Sequence, residues 1–195
     1  VKRLLRILLG LVLIAGILAA GRFAPISNQQ VAQIITRGKI GETIDTGGFK
    51  LTVHKVQATT TLTSADTFGS NGGQVTTDMF LVIDATIVGD WRPATYDDAQ
   101  LETGGGYAYR ASDRFSGGVV TEDQIQPGIG RRGMIVFELP KDRIAGAKLR
   151  LGRSQTEDVR LGPAALVDLT IDDAKAAELL KKAPKQIRLP KVRYG

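Results

Sequence analysis

The chain has 195 residues, of which 43% are hydrophobic, and no cysteine. That is enough for one domain with appendages, and it excludes disulfides, thiolate metal sites, cysteine nucleophiles and a lipid-bearing cysteine. The net charge of +6 sits at the two ends: residues 1–25 carry Lys2, Arg3, Arg6 and Arg22 with no acid, and residues 172–195 carry seven lysines and arginines against Asp172, Asp173 and Glu178. The middle is slightly acidic, whereas a nucleic-acid binder concentrates base on its folded domain, so no nucleic-acid partner is expected.

The amino-terminal stretch is basic and then apolar, with no charge from Ile7 to Gly21. Counted from Leu4, with Arg6 snorkelling, it approaches the ~20 residues of a spanning helix. Residues 1–24 are therefore expected as a signal anchor or transmembrane helix. Lys2, Arg3 and Arg6 predict a cytoplasmic amino end, with everything after Phe23 translocated. The alternative is a cleaved signal peptide, with the small pair Ala19-x-Gly21 as the cleavage site and a secreted product. Residues 25–38 read as a juxtamembrane linker or short helix, capped by Ser27 or Asn28, with Val31, Ile34 and Ile35 on one face and Gly38 as a stop.

From Lys39 the period changes from helix to strand. Two strands are expected about a Gly47-Gly48 turn, with Phe49, Leu51 and Val53 alternating with Lys50, Thr52 and His54. The polar stretch from Thr59 to Thr77 reads as a long loop or an irregular hairpin. "DMFLVIDATIVGDW" is the strongest apolar run and fits a central strand. Further strands are expected around Leu101, around Tyr107 and Tyr109 after a Gly104–Gly106 turn, within "VVTEDQIQPG", over "GMIVFELP" with Ile135, Phe137 and Leu139 on one face, and in "AKLRLG" and "VRLGPAALVDLTI". Many short strands without intervening helices predict an all-β fold, an antiparallel immunoglobulin-like β-sandwich over 39–171. Thr170-x-x-Asp173 reads as a capping box opening a short C-terminal helix, and residues 172–195 as that helix plus an extended basic tail.

"PGIGRRGMIVFELP" contains Gly128-x-Gly130-x-x-Gly133, the spacing of a dinucleotide-binding loop. That fingerprint works only between a strand and a helix, where the helix amino terminus holds the pyrophosphate. Here a β-branched and aromatic run follows the glycines, so they are expected to form a turn feeding a strand, with Arg131 and Arg132 on a solvated loop.

The ordered stretches "GETIDTGGFKLTVHKV", "MFLVIDATIVGD", "YAYRAS" and "IQPGIGRRGMIVFELP" resemble a bacterial family of secreted or membrane-anchored immunoglobulin-like domains of unknown function, related in fold to the mycobacterial immunoprotective extracellular antigen. Phe80–Val88, Tyr109, Pro127-Gly128 and Val136–Pro140 carry the resemblance, which covers roughly residues 39–163. Gly89-Asp90-Trp91 departs from it, standing where an asparagine-bearing turn is common. The helix and tail after Asp172 lie outside it. The resemblance implies a fold and brings no catalytic residues.

The search for chemistry finds little. His54 is the sole histidine and sits in a predicted strand. There is no Gly-x-Ser-x-Gly elbow, Ser-x-x-Lys pair, His-Glu-x-x-His helix or P-loop. Asp97-Asp98 with Glu102, or Asp66 with Asp78, are acids that loops can bring to calcium, but they lack EF-hand spacing. No cofactor or metal is expected. Trp91 and Tyr96 on one exposed loop would make a platform for a sugar or protein, with Arg131 and Arg132 as further contacts. Lys181, Lys182, Lys185, Arg188, Lys191 and Arg193 would meet an anionic surface of lipid head groups or wall polymer, or form a solvated terminus. The expected function is a non-catalytic extracytoplasmic binding or scaffolding module at the cell membrane, with an envelope protein or cell-wall polymer as partner. The alternatives are a carrier holding a small ligand or lipid between the sheets, and an envelope hydrolase using Asp97 and Glu102 as acid and base.

Overall fold

The computed structural model describes residues 2–23, 32–63, 74–115, 118–121, 123–154 and 160–195. The chain forms two compact units, Val1–Ala32 and Gln33–Gly195. The first contains α1 (Lys2–Phe23), a helix of 22 residues. Among the described residues no helix is long and apolar enough to cross a membrane.

The second unit is built from strands. In chain order these are β1 (Ile34–Lys39), β2 (Thr43–Asp45), β3 (Phe49–Thr63), β4 (Gln74–Gly89), β5 (Asp98–Glu102), β6 (Ala108–Arg110), β7 (Gly130–Leu139), β8 (Lys148–Gly152) and β9 (Pro163–Asp168), then helix α2 (Asp173–Lys181) and the short strands β10 (Ile187–Arg188) and β11 (Arg193–Tyr194). One sheet has the order β1-β9-β8-β5-β6 and the other β10-β3-β4-β7-β11, with β2 beside β3. β4 is the central strand that its apolar run predicts. Period-two alternation sends Leu81, Ile83, Ala85 and Ile87 of β4 and Ile135, Phe137 and Leu139 of β7 inward, against Leu101, Leu149, Leu151 and Val167 of the facing sheet. These side chains fill the space between the sheets.

Several expectations are corrected. The sandwich is not wholly antiparallel: β1 pairs with β9, and β10 with β3, in parallel. Hairpins impose antiparallel pairing, but edge strands that arrive over long connections are free of that constraint. The part of the expected juxtamembrane helix that is described, from Ile34, is strand β1, which runs in register from Ile34↔Pro163 to Lys39↔Asp168. Ile34, Ile35 and Thr36 are β-branched and fit an edge strand better than a helix. Ser27, Asn28 and Val31 lie outside the described residues. Of the two readings of Thr59–Thr77, the described ends form the irregular hairpin: β3 continues to Thr63, β4 begins at Gln74, and the two pair antiparallel with a register shift between Thr59 and Thr61. The connector "VVTEDQIQPG" makes isolated bridges at Val119, Ile125 and Pro127 instead of a strand. The cap of α2 is Asp172, whose carboxylate accepts from the Lys175 amide at 2.7 Å. Thr170 stands two residues earlier in the left-handed region at φ 52°.

The glycine motif is structural. Gly128 has φ 73°, and β7 starts at Gly130. A side chain at Gly130 would meet the Gly195 carbonyl at 2.8 Å, and one at Gly133 the Gly118 carbonyl at 3.0 Å. The first glycine makes the turn, and the other two admit backbone beside β7.

The basic tail is part of the fold. β10 pairs with Leu62 and Thr63 of β3, at one edge of its sheet, and β11 with Arg131 and Arg132 of β7, at the other. The intervening residues cross the outer face of that sheet as a strap. Leu189, 0% exposed, closes a second apolar cluster with Leu62, Phe80, Val82, Phe115, Val119 and Val136. The prolines at 184 and 190 keep the strap extended.

Candidate functional site

At one end of the sandwich a cleft of about 590 Å³ is lined by Asp97, Asp98, Ala99, Arg110, Ala111, Asp113 and Ser154. Sheet register assembles it. Asp98 opens β5 opposite Gly152 of β8, and Gln100 faces Arg110 of β6, so residues 97–98, 110–113 and 154 converge. The Asp98 side chain is 5% exposed. It accepts from Gln100 at 3.0 Å and Gln33 at 3.4 Å, with the Arg150 guanidinium 3.8 Å away. Ser154 donates to Asp97 at 3.0 Å. Asp97 and Asp113 are the exposed carboxylates of this lining, beside Arg110, whereas Asp98 is buried and engaged by Gln100, Gln33 and Arg150.

The cleft holds Ser154 and Asp97 but no histidine to complete a nucleophilic triad. His54, the sole histidine, lies in β3 of the other sheet and bonds Thr86 at 2.8 Å. Asp97 and Glu102 are not brought together as an acid–base pair. Five residues along a strand separate them by about 17 Å, beyond the roughly 5–9.5 Å of glycosidase carboxyls. Among the described residues no three of His, Asp and Glu gather to hold a metal ion, and Asp66 lies outside them.

Trp91, which follows β4, is 64% exposed. The guanidinium of Arg92 lies 4.7 Å from its ring centroid and that of Arg153 lies 5.3 Å away. Arg153 is buried and adjoins Ser154 of the cleft wall. Tyr96 does not share this surface. It is 0% exposed, packs on Phe49 with centroids 4.7 Å apart, and donates its hydroxyl to the Gly48 carbonyl at 3.3 Å. A tyrosine whose hydroxyl finds a backbone acceptor is readily buried, so the expected Trp91–Tyr96 platform is replaced by Trp91 with Arg92 and Arg153. No sequence signal pairs Trp91 with Arg153, since only the packing of two loops brings them together.

Arg131 and Arg132 are not on a loop. Both lie in β7, and alternation sends them to opposite faces. Arg131 is 2% exposed and pairs with Asp123 at 2.6 Å, so it is no solvated contact. Arg132 points outward and grips Asp84 through Nε at 2.9 Å and Nη2 at 2.7 Å. The bonds to Asp84 and its charge raise the Arg132 pKa. The six basic residues of the tail, all exposed, do not form one array. Lys181 ends α2, Lys182 follows it and pairs with Glu178 at 2.6 Å, Arg188 lies in β10, and Arg193 lies in β11.

No family model matches the chain, and no curated protein does. Among solved structures, the yjhA protein from Bacillus subtilis aligns with a TM-score of 0.50 and 19% identity, over 67% of this chain and 98% of that one. An uncharacterized β-sandwich protein from Clostridium difficile 630 aligns at 0.43 with 10% identity, over 71% and 97% of the two chains. MPT63, a secreted protein from Mycobacterium tuberculosis, aligns at 0.47 with 14% identity, over 70% and 99%. At such identity the likeness to the yjhA protein is one of fold, and this chain is a two-sheet β-sandwich.

Proposed function

We propose that the chain is a non-catalytic, extracytoplasmic binding module of immunoglobulin-like type, tethered through α1, that recognises a sugar-bearing polymer of the cell envelope at the Trp91 end of its sandwich. The observation that carries the reading is the exposed Trp91 ring, flanked by Arg92 and by Arg153, whose chain neighbour Ser154 lines the cleft with Asp97 and Asp113. A flat apolar face next to carboxylates suits polyhydroxyl ligands, whose rings stack while their hydroxyls donate. Exposed tryptophan and arginine are also the residue types that dominate binding energy at interfaces. The immunoglobulin-like reading is supported by the passage of the chain between sheets from β4 to β5, β6 to β7 and β7 to β8, in the manner of Greek-key connections. The tether rests on the sequence alone, uncharged from Ile7 to Gly21 after Lys2, Arg3 and Arg6.

Trp91 is the sole tryptophan, so intrinsic emission reads this surface directly. Titrating the full chain, in neutral detergent, with soluble cell-wall glycan fragments is expected to change its emission saturably. Trp91→Ala is expected to weaken co-sedimentation with insoluble wall by about tenfold, the scale of one interface anchor. Unchanged emission together with full retention of the Trp91→Ala variant on wall sinks the reading.

A further inference from the structure

Away from the Trp91 surface, a second small cleft of about 140 Å³ lies between β7 and the strap, lined by Asp84, Arg132, Gly133, Met134, Pro190, Lys191 and Arg193. Its lining brings Arg132, Lys191 and Arg193 together with the Asp84 carboxylate. Asp84 is already held by Nε and Nη2 of Arg132, which leaves Nη1 outside that pair. Register makes the crowding of charge specific. β11 pairs with β7 so that Arg193 stands directly opposite Arg132. Like charges in directly opposed cross-strand positions destabilise a sheet, and here the opposed pair forms where the strap is held by only two residues of strand. Met134 and Pro190 add apolar walls, and low-dielectric walls strengthen the field of the cations.

We propose that this cleft is an anion site that takes a phosphate group, bridged by Arg132, Lys191 and Arg193. An oxyanion relieves the repulsion between the opposed arginines, and guanidinium groups match phosphate oxygens in geometry. Binding then fastens β11 to β7 and tightens the strap over the second apolar cluster. The phosphate comes either from a lipid head group or from a soluble phosphate.

The sole histidine reports on the site, because His54 bonds Thr86 and Thr86 is the strand partner of Arg132. The full chain in zwitterionic micelles is titrated with inorganic phosphate at constant pH and constant ionic strength, balanced with chloride. The His54 imidazole and Arg193 amide resonances are expected to shift saturably. In the Lys191→Gln/Arg193→Gln variant the midpoint rises by about tenfold or more, as expected for loss of charge-assisted bonds. Arg193→Lys keeps the charge and is expected to retain saturable binding, which separates loss of the site from loss of the fold. Micelles doped with phosphatidylglycerol distinguish the sources. The same shifts without added phosphate identify a lipid head group, and shifts with inorganic phosphate alone identify a soluble ligand. No saturable shift with either, or equal shifts in the doubly neutralised variant, overturns the proposal. Trp91 emission is expected to stay constant throughout, so the outcome is independent of glycan recognition at the other surface.

Discussion

Truncating Leu189 to alanine tests whether the strap is a structural element or a passing contact. Leu189 is 0% exposed among Leu62, Phe80, Val82, Phe115, Val119 and Val136. The change removes three carbon groups, worth about 2.4 kcal/mol at ~0.8 kcal/mol each. The neighbours cannot close the gap freely, since Val82 is paired with Val136 and Phe80 with Glu138 in the β4–β7 ladder. A cavity cost therefore adds to the transfer term. Against this, the strap is held by two strands of two residues each, so its local release caps the loss. The expected destabilisation is about 2–3 kcal/mol, or a fall of about 5–10 °C in melting temperature for a domain of this size. Urea unfolding followed by far-ultraviolet circular dichroism measures the first, and amide exchange over residues 187–195 measures local release. A loss below about 0.5 kcal/mol, the ordinary range of a surface change, with unaltered exchange in the strap, refutes the argument.

Two further outcomes separate the roles assigned above. Tyr96→Ala is expected to cost about 3–5 kcal/mol as a truncated core aromatic, while Trp91→Ala costs under about 1 kcal/mol. Equal losses in denaturation would mean that the two side chains have been assigned to the wrong environments. On α2, hydrogen bonds from Lys182 and then Lys175 hold the Glu178 carboxyl down to about 2, below its ordinary 4.5. A lowered folded-state value stabilises the helix above the unfolded value, and the contribution is lost as pH falls toward the folded one. The protection factors of the α2 amides, with the intrinsic exchange rate divided out, are expected to fall between pH about 4.5 and about 2, and Glu178→Gln removes that dependence. An identical acid profile in the variant would show that the bonds to the lysines contribute nothing.

The most legible part of the sequence was the part with a local cause. Phe49, Leu51 and Val53 alternate because one face of β3 is buried, and the alternation is written in adjacent residues. Gly47 and Gly128 mark turns because their backbones sit at φ 77° and 73°. The strand after Gly133 was readable from its β-branched and aromatic composition, which alone rules out a dinucleotide loop there. Ambiguity began where local preference was weak. Ile34 and Ile35 satisfy a helical stripe and an edge strand equally well, and pairing with β9 chose the strand. Thr59–Thr63 look like loop until β4 lies beside them.

The candidate sites were less legible, because each depends on residues far apart in the chain. Trp91 stands out in the sequence as an aromatic, but its partner Arg153 enters through the end of β8. Asp97 and Asp98 were visible as acids, but Arg110, Asp113 and Ser154 reach them only through the β5–β6 and β5–β8 pairings. Arg131 and Arg132 are neighbours in sequence and opposites in space. One residue of strand reverses the face, so one is sealed against Asp123 and the other stands outside on Asp84. Composition and period-two patterning establish a two-layer β fold because burial of alternating side chains is a property of each strand alone. Which charges meet, and which tail segment covers which face, depends on long-range register, and that is a property of the assembled sheets.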